Sequence, residues 1–404
     1  MNFRQISAAE RTTTMFPLQS YAFMPSPWSS EDEETYRGRM RFFETAVNLI
    51  AEEDGKTLAG VAALRMRENV RGTVYDMAGV ASVATHPAAR RRGLVRELLQ
   101  RLLRQVREEG CAVSALYPFR PSFYAKFGFV GIPRHRTAVF APEGLGHLLR
   151  AELPGEVERL PMSEAFEEYD GLIQRVMSRR HGFAVFDEVR ASENRDMKSW
   201  VAVARSGGEV VGVVRYVIEA HGGDLVAHDL HCTGPLGRAL LLQFFARHVD
   251  QVARVSVRIS ADDVPELWGV DFTVTVAGKV DNPTDNAPMV RVLDIEALSG
   301  SQAGPGEVTV EIADDDLIGG IWHLDARDGT LAVSKGTTPA ATLTAAGFSA
   351  LVYGVLDPVE VFTRGLGEIT PAAIPTLAMM FPASCPTCSP TSDQRRAGLR
   401  LQVD

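Results

Sequence analysis

The sequence predicts a mixed α/β fold used twice in tandem, followed by a strand-rich α+β unit. Three observations predict it. Residues 46–66, "AVNLIAEEDGKTLAGVAALRM", place a turn dipeptide between two apolar stretches, and an amphipathic helix and a closing strand follow. Residues 201–220, "VAVARSGGEVVGVVRYVIEA", repeat that layout, again followed by a helix and a strand. After "VDNPTDNAP" (280–288), a linker by composition, the pattern changes to short strands and short apolar helices. The units expected are 1–153, 154–288 and 289–404.

In the first unit, Asp54-Gly55 between apolar runs is a hairpin signal. A further strand is expected from about Asp76 to Thr85, ending before Pro87. The helix comes next. Leu94, Leu98, Leu99, Leu102, Leu103 and Val106 recur at three-to-four spacing, while Arg96, Arg101, Arg104 and Arg107 fall elsewhere. Gly110 is expected to cap it, and "CAVSALYP" (111–118) to be the closing strand.

In the second unit, "GPLGRALLLQFFARHV" (234–249) and "ARVSVRIS" (253–260) read as the matching helix and strand. The copy lacks the arginine run of the first; before its helix stands "HDLHCTGPLGR". In the third, residues 307–336 are strand-rich with a turn at Asp328-Gly329. "TLTAAGFSALVYG" and "ITPAAIPTLAMMF" read as short helices.

Bulk composition narrows the classes of function. At 404 residues the chain is too long for one ordinary core, and 45% hydrophobic with 23% charged residues is globular usage. No apolar run approaches the ~20 residues that span a bilayer, so no membrane partner is expected. "MNFRQISAAERTTTMF" lacks a basic segment followed by an apolar core, so no signal peptide is expected. Four cysteines make no disulfide framework in a chain of this size, which fits a reducing cytoplasm. A formal net charge of -9 argues against nucleic acid as a partner and is compatible with cationic substrates.

Against that acidic background, "THPAARRRGLVRELLQ" (85–100) sets three arginines immediately before a glycine and the helix. A helix start leaves its first N–H groups unpaired, and the dipole behind them attracts anions. Gly93 permits close approach to the backbone, and Arg90, Arg91 and Arg92 supply charge-assisted donors suited to phosphate. The expected ligand is a polyphosphate. Neither G-x-x-x-x-G-K-[ST] nor G-x-G-x-x-G occurs, so the phosphate loop is neither Walker nor dinucleotide type. A solvated basic helix start, or a contact to another subunit's acidic surface, uses the same residues.

"SVATHPAARRRGLVRELL" resembles the acetyl-CoA signature of the GNAT acetyltransferase superfamily, a strand followed by [QR]-x-x-G-x-[GA] opening a helix. Arg90, Arg91, Arg92, Gly93 and Leu94 match; Val95 stands where Gly or Ala is usual. The resemblance implies that Val83, Ala84 and Thr85 face the pantetheine and acetyl group. It places the phosphates against Arg91 to Arg96, with Arg90, Phe119 and Arg120 also on the coenzyme. "YPFRPSFYAKFGFV" (117–130) resembles the family's later segment, in which a tyrosine shortly before a Gly-Phe pair protonates the departing thiolate; Tyr124 matches. With free pKa values of about 8.5 for a thiol and about 10 for a phenol, that transfer carries little penalty. Phe119, Phe123, Phe127 and Phe129 surround the same tyrosine, and core packing is its other reading.

Taken whole, the chain resembles the enhanced intracellular survival (Eis) family of N-acetyltransferases. That family joins a GNAT domain, a degenerate GNAT copy and a sterol-carrier-type α+β domain. The resemblance implies acetyl-CoA as cosubstrate, no metal, and a polycationic small-molecule amine, such as an aminoglycoside or polyamine, or a lysine side chain as acceptor. It also implies a homo-hexamer. In that family the terminal carboxylate takes the ammonium proton. Here that position falls to Asp404 rather than to an aromatic residue, and Glu31, Asp32, Glu33 and Glu34 are the alternative bases. Tyr36 stands near the family's amine-pocket aromatic, or is an ordinary amphipathic-helix tyrosine. Cys385-x-x-Cys388 is half a zinc pattern without its complement and is read as chance; His228 and His231 are read as structural. The competing class is a binding protein that senses acetyl-CoA or carries an apolar ligand without catalysis.

Overall fold

The structure, a computed structural model, describes residues 1–281, 283, 286–313 and 315–386. The first unit runs β1 (Asn2–Gln5), α1 (Met15–Phe23), α2 (Ser30–Gly38), β2 (Val47–Glu53), β3 (Lys56–Val70) and β4 (Thr73–Thr85). It continues with α3 (Leu94–Glu108), β5 (Val113–Leu116), α4 (Pro121–Tyr124) and β6 (Val130–Gly131). Asp54 and Gly55 have φ of 51° and 72°, the two left-handed residues that a tight hairpin matching strand twist requires. Arg71 and Gly72 (φ 48° and 82°) repeat this turn between β3 and β4. α3 is the crossover between parallel β4 and β5, and its six predicted apolar residues are all buried against the sheet. Each such side chain contributes on the order of 1.5–3 kcal/mol. Gly110, at φ 95°, turns the chain out of the helix.

The first sheet is completed by strands from elsewhere in the chain. β3 pairs along its length with β4; on its other edge β2 covers the first half, and Ala184–Phe186 covers Met66–Glu68. Met289–Val292 lies between β5 and β6, antiparallel to both. In exchange, Arg136–Phe140 enters the second sheet beside Arg254–Ile259. That sheet repeats the first one's plan: Trp200–Ser206, Glu209–Ile218 and Asp224–Cys232 run antiparallel, helix Pro235–Ala246 crosses over, and Arg254–Ile259 returns parallel. The third sheet orders Ala332–Lys335, Gly320–Asp325, Glu307–Ile312, Ala341–Leu343 and Gly367–Ile369. Helices Ala345–Tyr353 and Ala373–Met380 formed as expected; Pro358–Thr363 is an additional one. Among the described residues no helix is long and apolar enough to cross a membrane.

One junction ties the three units together. Glu68 on β3 is buried and accepts a hydrogen bond from the Tyr353 hydroxyl at 2.6 Å. His181 accepts from the Arg71 amide through Nδ1 (3.0 Å), so Nε2 carries the proton and donates to the Tyr353 carbonyl (3.1 Å). Burial pushes the Glu68 carboxyl up to about 8, against which the Tyr353 hydrogen bond acts only in part. The folded state therefore holds a proton that the unfolded chain releases near the ordinary glutamate pKa of about 4.3. Stability from this group is lost as pH rises from there through about 8. Glu68→Gln is expected to remove that decline, read as the pH dependence of the wild-type minus variant unfolding free energy. A difference flat across this range would show that Glu68 ionises normally.

Candidate active site

β4 and β5 are parallel neighbours from Met77↔Val113 to Val80↔Leu116 and then part. Beyond Val80, β4 is irregular: its pairing with β3 shifts between Gly60 and Ala62, and Ser82 sits at φ 59°. The far edge of Val83, Ala84 and Thr85 is thus released from β5 while the near edge stays held, with Gly60 opposite Ala84 and Ala59 opposite Thr85. Strand amides freed in this way seek a partner. An extended ligand bearing amide groups can lie along them.

The chain next turns through His86–Gly93 into α3. Arg91 (φ 65°) and Gly93 (φ 80°) are both left-handed, a concave backbone of the kind that holds anions. Glu97 N–H is the first to bond back, to the Gly93 carbonyl at 3.1 Å, so the amides of Leu94, Val95 and Arg96 lie ahead of the helical ladder. Arg90, Arg91, Arg92 and Arg96 are exposed, Leu94 is buried, and Val95 packs half-buried against the core, leaving the helix start intact. Arg92 pairs with Glu53 at 3.0 Å. Among the described residues Arg90, Arg91 and Arg96 have no acidic partner. A Cβ on Gly93 meets nothing within 4 Å, so Gly93→Ala carries only the backbone cost of the left-handed region. It is expected to destabilise the fold by about 1–2 kcal/mol, measured as a shift in urea midpoint at unchanged slope.

After β5, Arg120 stands immediately before α4 and Tyr124 at its end. Tyr124 is 2% exposed, with edge contacts to Phe119 (5.5 Å), Phe123 (5.1 Å) and Phe129 (6.3 Å). Both readings of this residue thus have a geometric basis: it is packed, and it lies on the segment that follows the parted strand. Burial raises its phenol above the ordinary value, which widens the gap to a thiol rather than leaving it small. Arg96 and Gln100 of α3 face Phe123, Lys126 and Phe127 across an open cleft of about 280 Å³. That cleft joins the cationic helix start to the tyrosine segment and adds Lys126, which the sequence reading missed. Arg291 was missed as well. It is buried, donates to the Phe127 carbonyl and pairs with both oxygens of Asp315 at 2.7 Å, anchoring the tyrosine segment.

Tyr36 is half-buried on α2, donates to Gln19 Oε1 at 2.9 Å and packs on Phe16. Near it the fully buried Arg11 reaches Asn48 and, at 3.1 Å, the hydroxyl of left-handed Ser82. Arg11 thereby links the surroundings of Tyr36 to the irregularity of β4. Of the acid run, Asp32 closes a capping box with Ser29, and Glu33 pairs with Arg37 at 2.9 Å. Both have local structural work. Asp404 and Cys388 lie outside the described residues; Cys385 is a half-buried thiol.

Among its described residues the second unit offers no matching cradle. A Cβ on Gly237 would lie 2.1 Å from the Val211 carbonyl oxygen, so the start of helix Pro235–Ala246 is pressed onto the strand beneath. In its interior Arg215 pairs with Asp229 at 2.7 Å, and Tyr169 donates to the same oxygen at 3.0 Å. His231 is buried there against Phe183, its pKa pushed down to about 4. Among the described residues no group of three or more His, Cys, Asp or Glu is placed to hold a metal ion.

Residues 2–131 match the family model of the acetyltransferase (GNAT) domain. An uncharacterized N-acetyltransferase of Streptomyces coelicolor is 27% identical over 323 residues, 74% of this chain and 75% of its own length. Another from Streptomyces avermitilis is 28% identical over 238 residues, 53% of this chain and 56% of that one. Among solved structures, a GCN5-related N-acetyltransferase from Anabaena variabilis superposes with a TM-score of 0.80 at 19% identity, covering 96% of this chain and 99% of that one. Eis1 from Mycobacterium abscessus gives 0.76 at 18%, covering 96% and 99%. At such identities the likeness is one of fold, and it runs through all three units.

Proposed function

We propose that this acetyltransferase moves the acetyl group of acetyl-CoA directly onto a primary amine of a polycationic small molecule, or onto a lysine side chain. The observation that carries the reading is the parting of β4 and β5 beside a helix start at which, among the described residues, Arg90, Arg91 and Arg96 have no acidic partner. Pantetheine would lie along Val83–Thr85. The diphosphate would lie at Arg90–Arg96, with Phe119, Arg120 and Lys126 flanking it. The amine nitrogen, as the free base, attacks the thioester carbonyl, the C–S bond breaks, and the net proton that nitrogen sheds balances the one sulfur gains, so CoA leaves as the thiol. Tyr124, kept protonated by burial, serves as the hydrogen-bond donor that stabilises sulfur as charge develops on it. Fold likeness to Eis1 across all three units supports placing the chain in the Eis branch, with a sterol-carrier-type third unit, a homo-hexameric assembly and a cytoplasmic setting.

Free-thiol release from acetyl-CoA, measured against a panel of aminoglycosides, diamines and lysine peptides, tests the reading. Amine-dependent release is expected; no release above the amine-free rate with any acceptor would overturn it. The Arg92–Glu53 pair adds a finer prediction. Both side chains are about 40% exposed, so their attraction is at most about 1 kcal/mol. Glu53→Gln frees Arg92 for phosphate and is expected to tighten acetyl-CoA binding by up to about fivefold, by calorimetric titration. Weaker binding would instead make Glu53 the residue that aims Arg92.

A further inference from the structure

The pairing of β3 with β4 passes from Ala62↔Ala81 to Gly60↔Ala84, so Val61 alone stands opposite two residues, Ser82 and Val83. This is a β-bulge. Successive strand residues send their amides to opposite edges, so the extra residue decides which amides of Val83–Thr85 reach the edge released from β5. The bulge is made at Ser82, whose φ of 59° lies in the left-handed region. A residue with a Cβ enters that region against a steric cost, whereas glycine enters it freely. Ser82 therefore needs something to hold it.

Arg11 is the side chain that reaches it. It lies in the turn Ala9–Thr12, just ahead of α1. Its guanidinium is fully buried, donates to the Ser82 hydroxyl at 3.1 Å and to Asn48 of β2, and lies over the Phe43 ring at 4.0 Å. Among the described residues no carboxylate pairs with it. Met15, the first residue of α1, packs where Gly60 leaves space, since a Cβ on Gly60 would come within 3.1 Å of the Met15 Cε. The Arg11 segment is thus clamped onto β3 opposite Ala84. Burying a guanidinium without a counter-charge is costly, and a methionine would fill the same space without that cost. What the charge holds accounts for it better than stability does.

We propose that Arg11 is a positioning residue for the coenzyme: by holding Ser82 left-handed it fixes the bulge, and through it the strand edge assigned to the pantetheine arm. The proposal rests on the acetyl-CoA reading above and adds to it a residue outside both the arginine run and the Tyr124 segment. Arg11 is itself buried and acts only through Ser82.

Calorimetric titration of the full-length protein with acetyl-CoA tests it and requires no knowledge of the acceptor. Arg11→Met is expected to weaken binding about tenfold as the bulge relaxes. Adding Ser82→Gly is expected to return the affinity to within about threefold of wild type, because glycine keeps the left-handed backbone unaided. Adding Ser82→Ala instead removes the same hydroxyl but keeps the Cβ, and binding is expected to stay weak. A merely structural role for Arg11 gives no difference between the two double variants, so equal affinities there would overturn the proposal. Unaltered binding in Arg11→Met would do the same. A second pair keeps Arg11 in place and so does not depend on the folding of its variant. Ser82→Ala is expected to bind acetyl-CoA at least about fivefold more weakly than Ser82→Gly, and equal affinities would again count against the proposal. Absence of binding to the wild-type protein would instead overturn the acetyl-CoA reading itself.

Discussion

Tyr124→Phe is expected to lower kcat by about two orders of magnitude while acetyl-CoA affinity stays within about twofold of the wild-type value. The substitution removes one hydroxyl and nothing else. The ring's edge contacts to Phe119, Phe123 and Phe129 do not involve the oxygen, so packing is kept. What is lost is a donor to the leaving sulfur, an interaction that gains strength only as the C–S bond breaks, and such losses fall on kcat rather than on ground-state binding. Steady-state thiol release gives the first quantity and coenzyme titration the second. Unchanged turnover would leave Tyr124 as a core residue, the other role its surroundings allow. Because burial raises the phenol above its ordinary range, ionisation of Tyr124 is not expected to limit the rate anywhere between pH 6 and about 10.

The second large effect is on the fold. Arg291→Ala is expected to destabilise the protein by about 3–5 kcal/mol, the usual consequence of stripping one partner from a buried ion pair. The Arg291 and Asp315 side chains are 4% and 11% exposed, joined by two hydrogen bonds of 2.7 Å, and the same guanidinium satisfies the Phe127 carbonyl. Truncation removes the donor to the Phe127 carbonyl and leaves Asp315 without its counter-charge, with the Leu317 and Ile318 amides still bonded to Oδ1. Arg291→Lys keeps the charge but lacks the planar fork that serves both acceptors, so an intermediate loss is expected. Denaturant midpoints at constant slope check both. Losses under 1 kcal/mol for the alanine variant would mean that water or a neighbouring side chain replaces the guanidinium.

What could be read in the sequence was what local spacing determines. The Asp54-Gly55 turn and the six-residue apolar stripe of α3 each follow from residues within a few positions of one another, and each formed as expected. The end of β3, with Glu68 and Asn69, lies beyond the apolar stretch 46–66 that the sequence shows. Both are buried, and their partners come from far along the chain: the Tyr353 hydroxyl for Glu68, the Ser178 carbonyl for Asn69. The inserted strands Ala184–Phe186 and Met289–Val292 have too few residues to show a period of their own. Their conformation is set by vacant backbone edges that only the assembled sheet presents. The same holds for the site. Arg90, Arg91, Arg92 and Gly93 announce themselves as a cluster, whereas Lys126 and Arg291 become relevant only once α3, the Tyr124 segment and the third unit meet.

The placement of Met289–Val292 between β5 and β6 also sets the order in which the molecule can mature. During synthesis the ribosome delivers β5 and β6 some 160 residues before the strand that must zip between them. Until that strand emerges, the nascent catalytic sheet has an unfilled seam, a sticky edge that chaperones must shield or a neighbouring chain will borrow. Residues 1–153 expressed alone are therefore expected to aggregate rather than give a minimal enzyme, read as loss of soluble protein relative to the full chain.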